Sequence, residues 1–231
     1  MVFNDFNNEI ARLAILQRTE LAPSFLVKIR KLFGRYLFTN FFTKFLPSKH
    51  IINRKYYDRM FEEYNFLKKY IDFTNKDILS IGSGISGLEL IINKFNDGNR
   101  FSIIEKNYVS KKIIYGWDHK NLEAYNNLII LRNFLINNKA NSNFKVYDFD
   151  AGNLPKTKFD IVISLYSLDY HYDFDIYKDY LKKVCSDKTQ LVFDTIRADY
   201  FKKLFLHVDI ISETKKKIHS SKRILCSGII K

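Results

Sequence analysis

The stretch DILSIGSGISGLEL (77–90) holds three of the chain's eight glycines, Gly82, Gly84 and Gly87, within six residues. An apolar run of strand length ends at Ile81, and an apolar helical pattern opens at Gly87. Glycine suits the junction because the backbone must turn sharply and admit a neighbour where a Cβ would stand. Helix N-terminal N–H groups then face whatever sits over the turn. The next apolar run, RFSIIEK (100–106), ends in Glu105, 21 residues beyond Gly84. A carboxylate at that strand tip can accept both hydroxyls of a ribose, so the pair of features points to a ligand containing a nucleoside.

Outward from this turn the same alternation continues. Apolar runs recur at FKVYDFD (144–150), FDIVISLYS (159–167), TQLVFDTI (189–196), LHVDIIS (206–212) and KRILCSGII (222–230), with helical patterns at about 86–96, 118–139 and 174–186. Short apolar runs separated by helices indicate βαβ units and a parallel sheet covered on both faces. The last two runs are joined by a Lys-rich loop without a helical pattern, which reads as an antiparallel hairpin. The expected fold is α/β: a Rossmann-like, seven-stranded, mostly parallel sheet with an antiparallel terminal hairpin and N-terminal helices.

From Glu9 to about Tyr70 the periodicity is helical instead. Tyr57, Met60, Phe61, Tyr64, Leu67 and Ile71 recur at spacings of three and four, the mark of one buried stripe. Residues 1–76 therefore read as a helical appendage or lid, and 77–231 as the ligand-binding domain. Between Pro23 and Pro47, Lys28, Lys31 and Arg35 share a helical face beside Phe25, Ile29, Leu32, Phe33, Tyr36 and Leu37. Such a segment suits a lid over the sheet edge, or peripheral contact with an anionic membrane; the lid is the expected role.

Two further motifs narrow the ligand. DAGNLP (150–155) follows the third strand, and FDIVIS (159–164) forms the fourth. With the glycine turn and Glu105 in this order, residues 76–196 resemble the class I S-adenosylmethionine-dependent methyltransferases. The resemblance implies S-adenosyl-L-methionine as cofactor. It implies Gly82, Ser83, Gly84 and Gly87 near the methionine part, Glu105 on the ribose, Asp150 and the Ala151 backbone on the adenine, and Leu165 and Tyr166 beside the sulfonium. The family carries an acid two residues before the first glycine, where this chain has Ser80. A nicotinamide-dependent oxidoreductase would share the glycines and Glu105. It has no use for 150–155, however, and Tyr177 is followed by Leu181 where a Tyr-x-x-x-Lys pair would need lysine.

Methyl transfer needs positioning and removal of a proton from the acceptor. YSLDYHYD (166–173) follows the fourth strand, at the edge where open α/β sheets bind ligands. His171 suits a general base, with Asp169 to orient it or to act instead. The spacing of two among Asp169, His171, Asp173 and Asp175 matches no compact metal loop, and no metal is expected. The segment has neither the Asn/Asp-Pro-Pro-aromatic tetrapeptide nor the Pro-Cys pair of nucleic-acid methyltransferases. The aromatic, hydroxyl-rich segment and the closing stretch SKRILC (221–226) resemble small-molecule O-methyltransferases, including those acting on sugars, so the resemblance implies a small, sugar-like acceptor with a hydroxyl, and a nucleic acid is not expected. A catalytically silent binding subunit of the same fold is the alternative that Ser80 raises.

Composition sets the outer bounds. Of 231 residues, 46% are hydrophobic and 27% charged, which excludes disordered, collagenous and coiled-coil classes. The formal net charge is +13, and residues 1–76 are about twice as basic per residue as the rest, a balance that favours anionic partners. Two cysteines, Cys185 and Cys226, read as reduced thiols. Lys or Arg interrupts every long apolar run, and the N-terminal residues do not read as a signal peptide, so a cytoplasmic location is expected.

Overall fold

Alternate residues of the central strands are apolar on both sides, and two separate cores follow from that. The computed structural model describes residues 1–25, 27–28, 30, 32, 37–38, 41–45, 48–110, 124–140, 143–214 and 220–230, with Phe42 and Phe45 described by backbone alone. Strands β1 (Asp77–Ile81), β2 (Arg100–Glu105), β3 (Phe144–Asp148), β4 (Phe159–Ser164), β5 (Cys185–Thr195), β6 (Phe205–Thr214) and β7 (Ser221–Ile229) form one sheet. Their order is β3-β2-β1-β4-β5-β7-β6. β1 to β5 pair in parallel, while β7 runs antiparallel to both β5 and β6. The sheet is thus the expected seven-stranded one, with the last strand of the chain inserted between β5 and the edge strand β6.

Ile78, Phe101, Ile103, Ile161 and Ile163 face one core, together with α1 (Asn8–Gln17), α2 (Lys49–Leu67), α3 (Gly87–Phe95) and α4 (Leu128–Asn137). Their neighbours Leu79, Ile104, Val162, Leu191 and Phe193 face the other, with α5 (Asp175–Val184) and the short α6 (Ala198–Phe201). This is the period-two consequence of the pleat. The N-terminal helices form part of the first core rather than standing off the sheet. Phe3 and Phe6 lie against Tyr56 and Phe134, with ring centroids 5.6–6.1 Å apart. On α2 the residues Ile52, Tyr56, Met60, Tyr64 and Leu67 are buried at helical spacing, and Phe61 is half-buried.

Two boundaries differ from the sequence expectation. The helix expected to reach residue 186 ends at Val184, and β5 begins at Cys185. The polar Ser186–Thr189 stretch bulges there. Phe159 pairs with Cys185 but Ile161 with Gln190, and the Thr189 hydroxyl donates to Phe159 O at 2.7 Å to close the irregularity. The helix expected from about 118 is described from Leu128, where the Asn127 side chain caps the first N–H groups. The basic segment at 24–46 lies in part outside the described residues, Ile29, Lys31, Phe33, Arg35 and Tyr36 among them, and the helical face on which the lid and membrane readings rest lies outside with them. No helix among the described residues is long and apolar enough to cross a membrane.

The strand order reverses between β1 and β4: the chain moves to one side through β2 and β3, then crosses to β4 and β5. Open α/β sheets have a crevice at the carboxyl ends of the strands at such a switch point. The glycine turn leaves β1 there.

Candidate functional site

Gly82 and Gly84 have φ of +69° and +65°, and Ser86 at +57° completes the turn into α3. L-residues with a Cβ resist these values, which accounts for the first two glycines. A Cβ on Gly82 would fall 1.8 Å from Ser167 Oγ, one on Gly84 2.3 Å from Gln17 Oε1, and one on Gly87 2.5 Å from the Tyr56 ring. The close approach expected of a ligand is therefore made here by the chain's own side chains.

The amides of the turn are also taken. Gly84 N donates to Glu105 Oε1 at 2.5 Å, Ile85 N to Gln17 Oε1 at 3.1 Å, and Gly87 N to the Tyr56 hydroxyl at 3.1 Å. Asn126 Nδ2 donates to Gly84 O at 2.7 Å. Glu105 thus stands at the expected strand tip, next to the turn, with its carboxylate folded back on the loop. Burial pushes its carboxyl up to about 7, against the stabilising Gly84 N–H and Asn126 amide.

Ser80 is buried within β1, and its hydroxyl donates to Glu89 Oε1 at 2.5 Å. Glu89 comes from α3, is 2% exposed, and is pushed up to about 7 by burial. Its Oε2 has no hydrogen-bond partner among the described residues. An acid is thus present in space beside Ser80, delivered from the helix instead of the strand. The signal was an acidic residue inside the apolar run GLELII; Gln17 and Asn126 left no such signal.

Past β4 the chain is tied to the turn. Ser164 Oγ donates to Ile81 O at 2.8 Å, and Ser167 Oγ meets the Tyr172 hydroxyl at 2.5 Å directly over Gly82. Leu165 and Tyr166 are half-buried at the strand tip. Ser83 pairs with Ser86, hydroxyl to hydroxyl at 2.7 Å. Asp150 and Ala151 are exposed after β3, the Asp150 carboxylate accepting from Lys106 Nζ at 2.7 Å.

The two candidate catalytic residues part company. His171 is exposed, with its ring edge-on to Tyr170 at 5.2 Å. Asp169 is fully buried. Its Oδ1 accepts from Arg197 Nε and Nη2 at 2.9 and 2.6 Å, and its Oδ2 from the Thr195 hydroxyl at 2.5 Å. A carboxylate bonded through both oxygens anchors the loop to β5, which sets it apart from the expected place beside His171. The ion pair joins residues 28 apart in sequence, so spacing could not reveal it.

Beside Tyr166 lies a cavity of about 280 Å³, between α2 and the β5–β7–β6 edge. Arg223 on β7 crosses its floor. It donates twice to Asp194 at 3.0 and 3.1 Å and once to Glu63 Oε2 at 2.5 Å. Asp194 also accepts from Tyr166 N at 3.0 Å.

No family model and no curated protein sequence matches the chain. Solved structures do. A protein of Nostoc punctiforme PCC 73102 assigned as an O-methyltransferase superposes with a TM-score of 0.51 at 8% identity, over 76% of this chain and 58% of its own. The pyocyanin biosynthetic protein PhzM gives 0.51 at 10% identity, over 78% and 58%. This chain has the class I methyltransferase fold. It spans under two thirds of the length of either protein. An RNA methyltransferase from Salinibacter ruber, solved with S-adenosyl-L-homocysteine, stands at 0.45 and 12% identity over 80% of this chain and 97% of that one. A shared fold does not decide between a small-molecule and a nucleic-acid acceptor.

Proposed function

We propose that the protein is an S-adenosylmethionine-dependent methyltransferase that acts on a hydroxyl of a small acceptor. The observation that carries this reading is the left-handed Gly82–Gly84 turn at the switch point with the Glu105 carboxyl against it. The donor set suits such a cofactor. The amides of Gly84 and Ile85 become available when the Glu105 and Gln17 side chains turn away, and Glu105 is then placed to accept ribose hydroxyls. Asp150 and the Ala151 backbone would take the adenine edge, and Leu165 and Tyr166 would flank the sulfonium. S-adenosylmethionine, when bound, supplies an electrophilic methyl group. His171, exposed on the loop after β4, is the residue we assign to accept the acceptor's proton.

Gln17 is expected to compete with the cofactor for the turn. Replacing it with alanine removes its Nε2 donation to Tyr125 O and frees the Ile85 N–H, and since the bond competing for the turn is worth about 1 kcal/mol, affinity for S-adenosylhomocysteine should rise roughly fivefold by calorimetry. A weaker affinity in Gln17→Ala would make Gln17 a ligand contact instead.

The closed turn favours one second reading, a binding subunit without turnover. Transfer of labelled methyl from S-adenosylmethionine to a panel of hydroxylated small molecules separates the two. Product on any member supports the enzyme. Binding of S-adenosylhomocysteine with no product across the panel supports the silent subunit, and binding of NAD instead would restore the oxidoreductase.

A further inference from the structure

Three buried side-chain atoms have no hydrogen-bond partner among the described residues: Arg59 Nε, Glu63 Oε1 and Glu89 Oε2. The first two belong to residues lining the one cavity beside Tyr166. Glu63 is 5% exposed, and its Oε1 lies 3.5 Å from Arg59 Nη2 and 3.8 Å from Arg18 Nη1, near enough for attraction without a hydrogen bond. A buried polar atom without a hydrogen bond is costly even beside an opposite charge, and two such atoms on residues lining one cavity mark a place that a ligand can complete.

The chemistry of that something follows from the pair. One atom is a donor and the other an acceptor. A hydroxyl is the smallest group that serves both, accepting from Nε and donating to Oε1. The charges around the cavity point the same way. Arg59 and Arg223 stand against Glu62, Glu63 and Asp194, so the wall has no surplus of positive charge for a phosphate or carboxylate. Burial would raise the Glu63 carboxyl, but Arg223 and Arg18 outweigh it and hold it below its usual range, leaving a charged acceptor. Tyr166, half-buried, also lines the cavity, and its ring carries the guanidinium groups of Arg18 and Arg223, with carbons 5.1 and 5.4 Å from its centroid. Ser212 and Thr214 add hydroxyls from β6.

We propose that this cavity binds a neutral polyhydroxylated molecule, with one hydroxyl serving both Arg59 Nε and Glu63 Oε1. As the acceptor seat of the enzyme the cavity rests on the methyltransferase reading; as a binding site it stands by itself.

Saturation-transfer NMR on the full chain with D-glucose, D-galactose, D-mannose, myo-inositol and glucose 6-phosphate tests it. At least one neutral polyol should bind, and Arg59→Met, which keeps the aliphatic stem, should weaken it at least tenfold. Ser212→Ala provides a second, milder loss on the opposite wall. Calorimetry with S-adenosylhomocysteine on the same Arg59→Met sample should be unchanged. No neutral polyol bound, which would mean ordered water only, overturns the proposal. So does tighter binding of the phosphate, or equal binding in Arg59→Met. Polyol binding in a chain that ignores S-adenosylhomocysteine would remove the methyltransferase reading and leave this one intact.

Discussion

Arg223→Ala is expected to lower the free energy of unfolding by about 3–5 kcal/mol, the usual consequence of removing one partner of a buried ion pair. Arg223 is 6% exposed and is the sole bonded cation of Asp194 among the described residues, while its third bond holds Glu63 on α2. The guanidinium therefore pins β7 to β5 and both to the N-terminal helix. Without it two carboxylates stay buried with reduced compensation, since Arg59 and Arg18 reach only Glu63, at 3.5 and 3.8 Å. The loss should shrink at acid pH as Glu63, whose carboxyl Arg223 holds below its usual range in the wild type, becomes protonated. Urea unfolding at pH 7.5 and pH 5 measures both quantities. A change below about 1 kcal/mol at pH 7.5 would mean the network is no keystone.

Glu89 gives the second large effect, with the opposite sign. Its carboxyl is raised from 4.5 to about 7 by burial. A carboxyl whose folded pKa lies above its unfolded value stabilises the fold fully below the unfolded value, and that contribution is lost as pH rises through the folded one. Wild-type stability should therefore fall between about pH 5 and pH 8, with Glu105, also raised to about 7, adding to the slope. Glu89→Gln cannot ionise yet still accepts from Ser80. At pH 8 it should be more stable than wild type by up to about 3 kcal/mol, and at pH 4.5 nearly equal to it. Denaturant midpoints at the two pH values decide. A variant that is less stable at pH 8 would mean the ionised carboxylate is held by a partner and needed.

The parts legible in the sequence were those encoded locally. Short apolar runs separated by helical patterns gave the strands, and three clustered glycines located the turn at the carboxyl edge. A single acidic residue at the end of RFSIIEK gave Glu105. What was hidden depends on pairs far apart in sequence. Asp169 looked available beside His171, but Arg197 and Thr195, arriving from the far side of β5, close both its oxygens. The cavity beside Tyr166 needed Glu63 and Arg223, separated by 160 residues, to meet. The bulge at the start of β5 was hidden because its polar residues imitate a loop, and only the Thr189 bond to Phe159 makes them part of the strand. Closure of the glycine turn by Gln17, Tyr56 and Glu105 could not be read either, since nothing in a sequence tells which way a side chain turns.

The most direct test is calorimetric titration of S-adenosylhomocysteine into wild type and Glu105→Ala at pH 8, where the Glu105 carboxyl is mostly ionised. Saturable one-to-one binding that loses about 1.5–3 kcal/mol in the variant, and that weakens in wild type at pH 6, is the predicted result. No binding to wild type, or an affinity indifferent to Glu105, would contradict the assignment of this turn as a nucleoside seat.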